Sequence, residues 1–169
     1  MKQIALLLTL ALFGLGGCAQ EPVSRPSDFK LVLSWHTGAV PENYWYSYRL
    51  VIGASTTGKL RYQSGNGQVE WSDEFTVSDE DLDRLYSQVR EQGLLRSNWK
   101  QGDQIDGGPA TSIQITSNGK HHSIGERSEL IEAERELVDD LIDRLESLVP
   151  DDLWETMNQL QAEQEMNTN

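Results

Sequence analysis

The sequence predicts an α+β domain, with an antiparallel sheet of about five strands, two main helices packed on one face and a short C-terminal helix. Three observations lead there. Aromatic and β-branched residues cluster in short runs with a two-residue period, at 29–35, 44–54, 59–63 and 111–116. Apolar residues recur at helical spacing in two stretches, Leu82 to Val89 and Ala133 to Leu148. Turn residues separate these segments, and strands followed by a helix, a strand pair and a helix pack most economically as a sheet with helices on one side.

The first strand runs from Phe29 to Trp35 and ends at His36-Thr37-Gly38. A second extends from about Tyr44 to Ala54, where alternation puts Tyr44, Tyr46 and Tyr48 on one face and Trp45 on the other. Ser55-Thr56-Thr57-Gly58 turns the chain into a half-buried strand, Lys59 to Gln63. After the turn at Ser64-Gly65-Asn66-Gly67, Gln68 to Trp71 continues the meander.

Ser78 is a natural N-cap. It is followed by Asp79, Glu80 and Asp81 at the positive helix end, with Val77 and Leu82 placed as a hydrophobic staple. Leu82, Leu85, Tyr86 and Val89 form the apolar face of that helix, and Gly93 offers a left-handed stop. A polar loop with Gly102, Gly107, Gly108 and Pro109 leads to a hairpin. Its strands are Thr111 to Thr116 and His121 to Ile124, and its Asn118-Gly119 turn is of the type I′ kind. The second long helix spans about Leu130 to Leu148, with Ala133, Leu137, Val138, Leu141, Ile142 and Leu145 in its apolar stripe, and Pro150 ends it. Asp152 then caps an amphipathic segment through Leu153, Trp154, Met157 and Leu160, before a Gln/Asn-rich end expected to fray.

The N-terminus reads as an export signal. Lys2 precedes an apolar run, Ile4 to Phe13, that is shorter than the roughly 20 residues a membrane span needs. The sequence Leu15-Gly16-Gly17-Cys18 follows and contains the only cysteine. It resembles the bacterial lipoprotein lipobox, in which a thiol accepts diacylglycerol, the signal is cut before the cysteine and the new amine is acylated. The resemblance implies a signal peptide at 1–17 and lipidation at Cys18. It also implies outer-membrane sorting, because Ala19 stands where aspartate favours inner-membrane retention. Several acyl chains hold far more firmly than one. Residues 18–28, with Pro22, Ser24 and Pro26, read as a tether, 29–149 as the globular domain and 150–169 as the C-terminal helix and tail.

Composition narrows the function classes. There are 27 acids against 14 bases, a net charge of −13, and loss of the signal removes one base and no acid. Such a surface repels nucleic acid and anionic headgroups on average. With Cys18 alkylated no intrachain disulfide is possible, so the core rests on packing.

Candidate chemistry is sparse. His121 and His122 are adjacent on a strand and point to opposite faces, so they do not chelate together, and His36 lies elsewhere. No G-x-S-x-G elbow occurs, and acid pairs such as Asp79/Glu80 and Asp139/Asp140 read as helix capping and solubility. Gly102 to Gly108 has two aspartates but not the calcium-loop spacing. No metal or cofactor is expected. The densest aromatic cluster is Tyr44-Trp45-Tyr46-Ser47-Tyr48, and the connection from His36 to Asn43 is longer than a tight turn. His36, Gly38, Tyr44 and Trp45 are therefore the candidate binding residues.

From Glu74 to Ile124 the chain runs through a strand end, an acid-capped helix, a Gly-terminated turn, an Asp-Gly-Gly loop and an alternating strand pair. That order is similar to the emfourin-type inhibitors of thermolysin-like metalloproteases over about a third of the chain. The resemblance implies an inhibitory loop at His36-Thr37-Gly38-Ala39, where Gly38 is the matching residue. The resulting expectation is a non-enzymatic, lipid-anchored periplasmic module that binds an envelope protein. The alternatives are a protease inhibitor or chaperone working through residues 36–43, and a periplasmic hydrolase using His36 or His121 with an acid.

Overall fold

The computed structural model describes residues 24–65, 67, 69–103 and 108–167. Cys18 and the signal segment lie outside the described residues. The strands are β1 (Lys30–His36), β2 (Tyr46–Ile52), β3 (Thr57–Ser64), β4 (Glu70–Thr76), β5 (Ala110–Ser117) and β6 (Lys120–Ile124). The helices are α1 (Asp79–Glu91), α2 (Glu132–Glu146) and α3 (Asp151–Asn167). All neighbouring strands are antiparallel, in the order β4-β3-β2-β1-β5-β6. The α+β class therefore holds, with six strands rather than about five.

Alternation decides which face is covered. Leu31, Leu33, Leu50, Ile52, Leu60, Tyr62, Ile113, Ile115 and Ile124 all point inward and are fully buried with the apolar faces of the three helices in one core. Burying each such side chain stabilises by about 1.5–3 kcal/mol. Among the described residues the opposite face carries no helix and presents Lys30, Arg49, Lys59 and Arg61, all exposed.

β4 is the element the pattern understates. Its inward positions are Trp71, Asp73 and Phe75, and the aspartate breaks the apolar alternation on an edge strand. Thr57 and Gly58, expected in a turn, belong to β3. Gly58 stands opposite Ile52, and a Cβ there would lie 2.3 Å from the Phe75 ring, so the glycine lets the edge strand pack.

α1 follows its sequence signals. Ser78 Oγ accepts from the Asp81 backbone N–H at 3.0 Å, Val77 and Leu82 are buried, and Gly93 takes φ +66°. Asn118 and Gly119 both have positive φ, as the I′ turn requires.

α2 buries the expected stripe with one exchange at its start, since Val138, Leu141 and Leu145 are buried and Leu137, Ile142 and Leu148 pack against the core. Ala133 is exposed and Glu134 is buried, in line with Val138, Leu141 and Leu145. The carboxylate is satisfied there, with Oε2 accepting from the Lys100 backbone N–H at 2.7 Å and Oε1 lying 3.2 Å from Arg96. It thereby pins the segment after α1.

α3 is not short. It runs seventeen residues, because polar contacts continue where the apolar stripe stops. The folded domain begins before Phe29, so residues 25–28 are held by contacts rather than left as tether. Arg25 pairs with Asp79 at 2.7 Å and Asp83 at 2.9 Å and donates to the Ala54 carbonyl. Asp28 accepts from the backbone N–H groups of Asn118 and Gly119.

Candidate functional site

The connection between β1 and β2 forms a rim at one end of the sheet. Its base is a clamp at Thr37, whose backbone N–H donates to the Tyr46 carbonyl at 3.0 Å while its Oγ1 accepts from the Tyr46 N–H at 3.1 Å. Within the clamp, the Val40 N–H donates to the Gly38 carbonyl at 2.9 Å. A 3-10 turn follows over Glu42–Tyr44, in which the Tyr44 N–H donates to the Pro41 carbonyl and the Trp45 N–H after it to the Glu42 carbonyl. The β3–β4 turn braces it from the side. The Gly65 N–H donates to the Trp45 carbonyl at 2.7 Å, and a Cβ on Gly65 would lie 2.3 Å from the Glu42 carbonyl. The rim is thus a built loop.

The four candidate residues divide between base and surface. His36 stacks on Trp45, with ring centroids 5.8 Å apart and 29° between planes. Its Nδ1 lies 2.7 Å from the Thr37 carbonyl, so it carries the ring proton and Nε2 is the acceptor of the neutral form. Gly38 supplies the turn carbonyl. Tyr44 does not share a strand face with Tyr46 and Tyr48, because the 3-10 turn removes it from β2; it stands 43% exposed. The expected three-tyrosine face is corrected to two.

Those two tyrosines build the inner side. Trp35, Tyr48, Tyr62 and Trp71 stand in one row across β1, β2, β3 and β4. Trp35 stacks on Tyr48 at 5.2 Å, and Trp154 of α3 meets Tyr48 edge-on at 5.4 Å. The Tyr48 hydroxyl donates to Glu146 Oε1 at 2.5 Å, and burial together with that carboxylate raises its pKa well above the usual phenol value. Tyr46 is raised as well, by burial first and then by Glu165. The Tyr48 hydroxyl thereby ties β2 to the C-terminal turn of α2.

Two surface residues had no signal in the sequence pattern. Val40 is 41% exposed on the rim and Met166, near the end of α3, is 69% exposed. α3 contacts the 3-10 turn, and Tyr46 faces Gln161 and Glu165. Met166 therefore lies toward the same end of the molecule as the rim. With Tyr44, these are the exposed large apolar side chains among the described residues.

Other candidates sit apart. His121 Nδ1 is 3.0 Å from Thr116 Oγ1, and His122 is half-buried near the β6 edge. Asp79 and Glu80 lie in the first turn of α1. Among the described residues no group of three His, Cys, Asp or Glu side chains could hold a metal ion, and no helix is long and apolar enough to cross a membrane. The Gly102 to Gly108 loop falls partly outside the described residues. No protein-family model matches the chain, and no curated protein is significantly similar to it.

Proposed function

We propose that the chain is a lipid-anchored envelope protein whose periplasm-facing domain binds a protein partner through the β1–β2 rim. The observation that carries this reading is that Val40, Tyr44 and Met166, the exposed large apolar side chains among the described residues, lie toward one end of the molecule. A rigid, apolar rim on an acidic domain suits a contact with a protein surface, where aromatic anchors contribute most of the energy.

The Leu15-Gly16-Gly17-Cys18 sequence supports the anchor, and Ala19 supports the outer membrane as its destination. Arg25 ties the chain to α1, so at most the stretch from Cys18 to Ser24 separates the proposed lipid from the folded domain. Fully extended, it reaches about 25 Å. The domain then works close to the bilayer.

Fractionation and affinity purification of the tagged full-length chain test the two parts separately. Cys18→Ser moves the protein out of the membrane fraction, and Val40→Ser with Tyr44→Ala leaves it there but loses the co-purified partner. Retention of the partner by the double variant would sink the rim as the binding surface.

A second reading has support in the loop itself. Val40 projects from a clamped turn, as an inhibitory side chain offered to a protease does. A panel of thermolysin-like proteases, none of them slowed by the protein, would remove it.

A further inference from the structure

Charge is distributed unevenly between the two layers. α1, α2 and α3 carry five, seven and five acids but two, two and no bases. Their net charge of −13 equals that of the whole chain, so the remainder is balanced. The helix-free face of the sheet is where bases gather. On it, Lys59 and Arg61 are paired with Glu74 and Glu70 of β4, whereas Lys30 and Arg49, on β1 and β2, have no ion-pair partner among the described residues.

Lys30 and Arg49 border a cavity of about 420 Å³ on that face, whose lining also includes Val32, Gln114, His121 and Ser123 and contains no carboxylate. In a chain with almost two acids for every base this is unusual. Two other cavities are lined in part by Glu80, Asp83 and Glu91, and by Asp28.

The register explains how the groups meet. Lys30 stands opposite Thr116, and Thr116 opposite His121, so the row crosses three strands and spans about 10 Å. Val32, two residues along β1 and only 6% exposed, forms the floor, flanked by Gln114. Arg49 approaches from β2 on the other side. Thr116 Oγ1 lies 3.0 Å from His121 Nδ1, which leaves Nε2 as the ring's other polar atom. Asp28 lies near His121, but its oxygens are engaged by the Asn118 and Gly119 N–H groups.

We propose that this groove binds a phosphoryl group. Lys30 and Arg49 supply two positive charges for a dianion, Arg49 with the planar fork that fits two of its oxygens. His121 Nε2, Gln114 and Ser123 add hydrogen bonds. The net charge of the chain argues against anionic ligands only as an average, and the segregation of acids onto the helices removes that argument for this face. The phosphoryl group could belong to a small phosphorylated compound or to the headgroup of a phospholipid. A phosphomonoester presents three terminal oxygens and up to two charges, and a headgroup phosphodiester two oxygens and one charge, so both offer the oxygen pair that the Arg49 fork fits. The site stands whether or not the rim binds a protein.

The test uses the full-length chain in nanodiscs of phosphatidylcholine, titrated with inorganic phosphate and followed by backbone amide resonances. Saturable shifts are expected at Val32, Gln114 and Ser123. Lys30→Gln and Arg49→Gln should each weaken binding about tenfold, while Lys100→Gln, which removes an exposed charge elsewhere, should leave it unchanged. If the source is lipid, discs containing phosphatidylglycerol shift the same amides before phosphate is added, and Lys30→Gln with Arg49→Gln abolishes that shift. No saturable response in either disc would overturn the proposal. So would an equal loss with Lys100→Gln, which would reduce the effect to general charge attraction.

Discussion

The buried hydroxyl of Tyr62, in β3, donates a hydrogen bond to Oε1 of buried Gln164, near the end of α3, at 2.9 Å across 102 residues of sequence. This bond shows why the C-terminal helix is long. Past Leu160 the apolar stripe stops, yet the helix still has a partner on the sheet, through a phenol that would otherwise be buried without one.

Replacing Gln164 with Ala should therefore destabilise the domain by about 1–3 kcal/mol, since an unsatisfied buried hydroxyl bears its full desolvation cost. Amide exchange should rise mainly over the last two turns of α3. Thermal unfolding and hydrogen exchange check both. A double change with Tyr62→Phe should cost less than the sum of the single ones, and strict additivity would mean the bond contributes nothing.

Gly58 and Phe75 make a second pair. A Cβ at 58 would overlap the Phe75 ring, so Gly58→Ala should cost about 1–3 kcal/mol. Phe75→Leu in the same chain should recover part of that loss by shortening the obstructing side chain. Chemical denaturation of the three variants measures it, and no recovery would mean that the strain lies in the backbone.

Asp28 gives a pH dependence with a definite sign. The Gly119 N–H, opposed by partial burial and aided by the Asn118 N–H, holds its carboxyl below the ordinary value of 3.8. A depressed folded pKa means that the stabilisation is present above the unfolded pKa and is lost as pH falls through the folded one. Asp28→Asn should flatten the stability profile below about pH 4. Melting temperatures of both proteins from pH 2 to pH 7 decide it, and parallel curves would show that the hairpin does not depend on the charge.

Glu134 is buried with its carboxylate against the Lys100 N–H and Arg96. Removing one member of a buried pair leaves the other uncompensated, so Glu134→Ala should cost about 3 kcal/mol, a value typical of such losses. The segment around Lys100 should loosen with it, as increased proteolysis there would reveal. Cleavage unchanged from the parent chain would place the anchor elsewhere, for example in the Gln101–Leu130 bridge.

The elements legible in the sequence are those whose signals are local. Ser78 with its following acids marks the start of α1, Asn118-Gly119 sets a hairpin, and Ile113 and Ile115 alternate cleanly. What escaped depends on partners distant in sequence. Glu134 looks like a solvent acid until Lys100 and Arg96 are brought to it. The polar half of α3 looks like a fraying tail until Tyr62 meets Gln164. Tyr44 reads as a strand residue because alternation continues through it, although the chain turns there and Gly65 packs beneath. The phosphoryl groove was hidden for the same reason. Lys30, Arg49 and His121 lie on three strands and become neighbours only through their pairing. Among the candidate binding residues, His36 and Trp45 do stack beside each other, Gly38 forms the turn and Tyr44 is exposed, whereas Val40 and Met166 have no periodic signal to set them apart.

The central claim is that the rim meets a protein partner, and photo-crosslinking in intact cells tests it most directly. A photoreactive residue placed at position 44 of the full-length chain should give one discrete higher-mass product. The same residue at position 91, on exposed α1 surface, should give none. An empty lane at 44, or the same product from both positions, would contradict the account.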